Sequence, residues 1–151
     1  MGATVTRRKA LAVFALLLCA AAHGSAGAGD FVVIVNAGNP VAALTRRAVS
    51  DIFLKKTTTW SDGERTKPVD LQVTSAIRES FSRAVHRRPA RDLAEFWQRE
   101  IFSGRGVPPP QKASEVEVID YVARTPGAIG YVAAGAPLPP GVRAIQVQAE
   151  R

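Results

Sequence analysis

Two small hydroxyl residues, Thr74 and Ser75, stand where the chain changes period, and Arg78 follows three positions later. Before them Val69, Leu71 and Val73 alternate as in a half-buried strand. After them Ile77, Phe81, Ala84 and Val85 fall at i, i+4, i+7 and i+8, the stripe of an amphipathic helix. A strand that runs straight into a helix presents unpaired N–H groups and the positive end of the helix dipole at the junction. That is chemistry for an oxyanion. Thr74 is placed to cap the helix. Thr74 and Ser75 are therefore candidate ligand-binding residues. Simple capping by Thr74 and Ser75 explains the same two hydroxyls.

The other reactive residue types give little. His86 lies in His-Arg-Arg at a helix end and reads as a solvated partner of the dipole. Its arginine neighbours disfavour it as the base of a Ser–His–Asp triad. Cys19 is the single cysteine and His23 the one other histidine, both near the N-terminus, so a zinc site of usual composition is not expected. Asp62, Glu64 and Asp70 are spaced as turn and strand-edge carboxylates. Neither a P-loop nor a dinucleotide fingerprint occurs. No catalytic residue, metal or cofactor is expected, and the chain does not read as an enzyme.

Arg7, Arg8 and Lys9 precede the apolar run from Ala10 to Ala22, and Ala26-Gly27-Ala28 is a small-residue cleavage site. This is the pattern of a cleaved signal peptide over residues 1–28, leaving one domain over 29–151 in the periplasm. Whether the general secretory or the twin-arginine route is used stays open. The chain carries 20 basic and 13 acidic residues, a formal +7. The leader holds three basic and no acidic residues, so 17 remain against 13, or +4. A mild positive charge on an exported protein argues for a small acidic ligand or an anionic surface rather than nucleic acid. The cysteine leaves with the leader.

The elements that must position the hinge follow in order. Phe31 to Val35 is an apolar run fit for a strand buried on both faces. Thr45 caps a helix with Ala48, Val49, Ile52 and Phe53 on its stripe, ending at Lys55 and Lys56, and Trp60 to Gly63 is a turn. After the hinge helix, Leu93, Phe96, Trp97 and Ile101 line a helix entered at Pro89. Ser103 to Pro110 is loop, and Ser114 with Glu117 opens a helix through Val118, Ile119 and Val122. Ala128 to Ala133 and Val142 to Val147 are the last strands. The expected fold class is α/β, a mixed sheet with helices on its faces.

Four stretches carry a family resemblance. Within Val33 to Trp60 these are Asn36, Asn39-Pro40, Leu44-Thr45, Val49, Ile52-Phe53-Leu54 and Trp60. The others are TSAIRESF at Thr74 to Phe81, IFSGRGVPPP at Ile101 to Pro110, and TPGAIGYV at Thr125 to Val132. Together they resemble the phosphate ABC transporter substrate-binding family. The resemblance implies a type II periplasmic binding protein-like fold, of which this chain has the length of a single lobe. It implies phosphate or a similar oxyanion as ligand, and an envelope transporter or sensor protein as partner. A lobe without its opposite number also suggests a homodimer. In the family the hinge carries Ser-Gly-Thr with an arginine before it. Here, aligned on Phe81, the triplet reads Ser75-Ala76-Ile77 and the arginine position is Leu71, so Ser75 is retained. Arg78, leaning back toward the N-terminus to overhang the first turn, is the available substitute. The resemblance thus implies Thr74, Ser75 and Arg78 as the ligand-binding residues. Lys55 stands where the family has glycine. The alternative reading is a non-catalytic periplasmic adaptor or sensor lobe acting through protein–protein contacts.

Overall fold

The computed structural model describes residues 30–150; the expected signal peptide, residues 1–28, lies outside them. Among the described residues no helix is long and apolar enough to cross a membrane.

The apolar run forms β1 (Phe31–Asn36), and it takes the place its composition demands. It is the middle strand of a five-stranded mixed sheet, antiparallel to β6 (Ala128–Ala133) on one side and to β7 (Val142–Gln148) on the other. β2 (Ala43–Thr45) extends the sheet in parallel beyond β7, and β3 (Lys67–Pro68) does so beyond β6. Opposed residues of antiparallel neighbours share a face, and successive residues alternate. Val33 and Tyr131 therefore lie on one face while Ile34 and Gly130 lie on the other. The first face is covered by Phe53 from α1 (Arg46–Phe53) and Phe81 from α2 (Ala76–Phe81), with Phe81 stacked flat on Tyr131 at 3.8 Å between centroids. The second face is covered by Val118 and Val122 of α4 (Glu115–Arg124). Close approach there depends on Gly130, where a Cβ would sit 2.8 Å from Val118 and 2.9 Å from Val69.

Helix α1 starts at Thr45, whose hydroxyl accepts from the Ala48 N–H, and α4 starts at Ser114, which accepts from the Glu117 N–H. Both caps stand where the sequence puts them. Lys55, just past α1, has φ 56°, the left-handed conformation that glycine adopts freely and a side chain resists. Trp60, expected merely in a turn, is buried and donates its indole N–H to the Gly127 carbonyl at 3.0 Å. Gly127 has φ 78°, and a Cβ there would meet the Arg65 carbonyl oxygen at 2.1 Å.

Three expectations need correction. The strand from Val69 to Val73 is broken: β3 pairs with β6, but β4 (Asp70–Leu71) pairs with β5 (Gln111–Lys112) in a separate ribbon. The partner changes because the Val69 N–H bonds Ile129 and the next, from Asp70, bonds Pro110. Val69 and Leu71 stay buried, while Val73, past the last pair, is 42% exposed. The helix phase also differs. After Phe81 the chain forms a π-helical turn over Ser82–His86, and its wider spacing buries Arg78, Phe81, Ser82 and Val85 while Ala84 faces solvent. On α3 (Ala90–Phe102) Leu93 and Trp97 are buried, but Ile101 is half exposed because nothing among the described residues covers the helix end.

Candidate functional site

A strand-to-helix junction is present, but not the direct one expected: β4 ends at Leu71, and α2 begins at Ala76, four residues after Gln72. Between them the Ser75 N–H donates to the Gln72 carbonyl, closing a turn. The cap, however, is Ser75 and not Thr74. Ser75 has extended geometry (φ −71°, ψ 129°), and its hydroxyl accepts from the Arg78 N–H at 3.3 Å. Thr74 is an exposed turn residue. With the Arg78 N–H bonded to Ser75, the first two amides of the helix, those of Ala76 and Ile77, have no partner among the described residues.

Arg78 does not overhang this turn. It is 1% exposed and points inward, its guanidinium donating to the Leu71 carbonyl and lying 3.2 Å from Asp70 Oδ2. Asp70, expected at a solvated strand edge, is buried as well; it accepts from the Leu71 N–H at 3.0 Å and from the Tyr131 hydroxyl. Burial pushes the Asp70 carboxyl above its ordinary range, against the Arg78 cation, the Tyr131 hydroxyl and the Leu71 N–H, which all favour its charge. The Tyr131 phenol is pushed up by burial and by the neighbouring carboxylate, so it keeps its proton and serves as a donor. The sequence hid this arrangement because Arg78 and Asp70 are eight residues apart on different elements. Their pairing depends on the chain reversal at the hinge. Its consequence is mechanical: Arg78 ties the end of β4 to the first turn of α2 and fixes the angle at which the hinge meets the helix.

At the other end of the same helical segment, His86 is not solvated. Its Nδ1 shares a hydrogen bond of 2.9 Å with the Ser50 hydroxyl of α1. Burial, and then the positive charges of Arg78, Arg46, Arg88 and Lys56, lower its pKa to about 4, so the ring is neutral at pH 7. Asp62 turns back to accept from the Glu64 N–H, and Glu64 pairs with Lys67, so neither joins Asp70. Among the described residues no group of three His, Cys, Asp or Glu side chains is placed to hold a metal ion.

The fold is shared with known proteins. Among solved structures, an ABC-type phosphate transport receptor from Vibrio cholerae matches with a TM-score of 0.61 at 21% identity, over 78% of this chain and 46% of its own. A putative phosphate ABC transporter substrate-binding protein with bound phosphate, from Clostridium perfringens, matches with a TM-score of 0.60 at 21% identity, over 78% and 44%. PstS from Borrelia burgdorferi gives 0.62 at 16% identity, over 79% and 47%. The chain thus spans less than half the length of these receptors, and at such identities the likeness is one of fold. No curated protein matches it. The model of the PBP superfamily domain matches residues 9–144, most of the chain. The mixed sheet, the strand-to-helix hinge and this match agree: the chain belongs to the PBP superfamily and has the fold of a single lobe of a phosphate-receptor-like protein.

Proposed function

We propose that the chain is a non-catalytic, exported solute-binding lobe that takes phosphate or a similar oxyanion at the hinge. The observation that carries this reading is the free pair of amides at Ala76 and Ile77, beside the Ser75 hydroxyl and the exposed Thr74. Two N–H groups and a hydroxyl at a positive helix end suit a small oxyanion. Arg78 supports the site from beneath by holding Leu71 and Asp70, with its charge spent inside. The likeness to phosphate receptors supports the ligand class, and the leader-like N-terminus supports a periplasmic location. An envelope transporter or sensor protein, or a second copy of the chain, would supply the surface opposite the hinge.

A ligand that binds only the native state raises the melting temperature by mass action. Thermal unfolding in about 10 mM phosphate should therefore move upward by several degrees relative to chloride of equal ionic strength. Ser75→Ala should shrink the rise. Superimposed curves in the two buffers would overturn the site. The adaptor reading draws on a separate feature, the apolar side chains exposed near the end of α3: Ile101, Phe102 and Val107 at 50%, 89% and 62%. It predicts no phosphate-dependent shift.

A further inference from the structure

A second recess lies at the opposite end of the hinge helix, and none of the hinge residues lines it. It has a volume of about 360 Å³, at the small end of ligand sites, which run to roughly 300–1,000 Å³. Its polar lining comprises Ser50, Lys56, His86 and Arg88; its apolar lining comprises Leu54, Leu93 and Phe96. These come from three elements. Ser50 is on α1 and Leu54 caps it; His86 ends the π-helical turn; Leu93 and Phe96 stand one turn apart on α3.

The charges around the recess are one-sided. Among the described residues no carboxylate lines it. Arg46 is taken by Glu150 and the Val85 carbonyl, and Arg78 by Asp70, but among the described residues no acidic side chain pairs with Arg88. Lys56 has Asp51 at the limit of an ion pair, 4.0 Å. The hydrogen bond between Ser50 and His86 holds the imidazole without neutralising either cation. A neutral ring between two cations leaves a positive, partly apolar hollow, and such a hollow favours an anion that can leave water on one side only.

We propose that this recess binds a compact organic anion. Its acidic head would lie between Lys56 and Arg88, and its apolar body would lie on Leu54, Leu93 and Phe96. Phenyl phosphate has this chemistry; inorganic phosphate has the head without the body. The site is independent of the hinge and of the reading given for it.

Backbone amide spectra of the 15N-labelled protein, titrated with phenyl phosphate and separately with inorganic phosphate, locate the two sites in one experiment. Phenyl phosphate should give saturable shifts at Ser50, Leu54, His86, Arg88, Leu93 and Phe96, with tighter binding there than inorganic phosphate. Arg88→Ala should weaken it by at least about fivefold, the scale of one charge-assisted contact. Arg88 is exposed, so this variant should fold, which its unshifted sheet resonances would verify. Phe96→Ala should bring phenyl phosphate close to the affinity of inorganic phosphate. Shifts confined to Thr74 to Arg78 would overturn the recess while supporting the hinge. Shifts at the recess alone would do the reverse. Equal affinity of the two anions, or an unchanged affinity in Arg88→Ala, would also overturn the proposal.

Discussion

The two ends of the segment from Ala76 to His86 handle charge in opposite ways. At its start the arginine is buried against an aspartate and a carbonyl, with the Tyr131 hydroxyl on the same carboxylate, so its charge is countered inside the protein although its Nε is left without a partner. At its end a neutral histidine lines a recess with Lys56, whose carboxylate partner is 4.0 Å away, and Arg88, which has none among the described residues. The same net positive charge thus serves structure at one end and remains available at the other. A formal charge count does not distinguish them, because what matters is whether a counter-charge is packed within a few ångströms.

The largest effect expected from this contrast is at the closed end. Arg78→Ala leaves Asp70 buried without its cation and should cost about 3–5 kcal/mol in denaturant unfolding, the range for breaking one side of a buried pair. In an Asp70→Asn background the same change should cost distinctly less. A loss below about 1 kcal/mol, as at exposed positions, would mean that Arg78 is a solvated residue after all and the contrast is false.

At the open end the expected effect is a pH dependence. An unfolded histidine takes up its proton near pH 6.5, whereas folded His86 does so only near 4. Between those values the unfolded state binds more protons, so stability falls as pH falls. The contribution of His86 is fully present above about pH 6.5 and lost on the way to pH 4, a change of about 3 kcal/mol at most. His86→Gln should flatten the slope between pH 6.5 and 5, where carboxylates contribute little, when the two proteins are unfolded in urea side by side. An identical slope in both would place the ring in solvent.

The smallest effect separates the two hydroxyls of the hinge. Ser75→Ala should cost about 1 kcal/mol through the lost cap, while Thr74→Ala should stay within about 0.5 kcal/mol. Equal losses would mean that Thr74 shares the capping and that the hinge turn is looser than its hydrogen bond to Gln72 suggests.

Much of the fold was legible because it is written in local patterns. The unbroken apolar run of β1 required a central strand, and TPGAIGYV carried β6 together with the two glycines that let Arg65 and α4 approach. Thr45 and Ser114 marked their helices through the three-residue spacing of a cap. The hinge was legible as a change of period, and the substitution of lysine for glycine at Lys55 was legible as a departure, now seen as a left-handed residue. The burial of Trp60 was not, since its partner is the Gly127 carbonyl far along the chain.

By itself, then, the sequence determined the longer strands and helices, where most of them begin, and that a hydroxyl pair sits between a strand and a helix. These depend on residues within a few positions of one another, where periodicity and capping act directly. Only the tertiary structure decided which charges are spent and which are open. Arg78 is an unremarkable helix cation until the chain reversal sets Asp70 beside it and Tyr131 above Phe81. His86 looks solvated until α1 brings Ser50 to its ring and Phe53 and Phe81 meet it edge-on. Burial and pairing come from segments that the chain brings together over long separations, and the energy of a charge depends on those neighbours far more than on the residue itself.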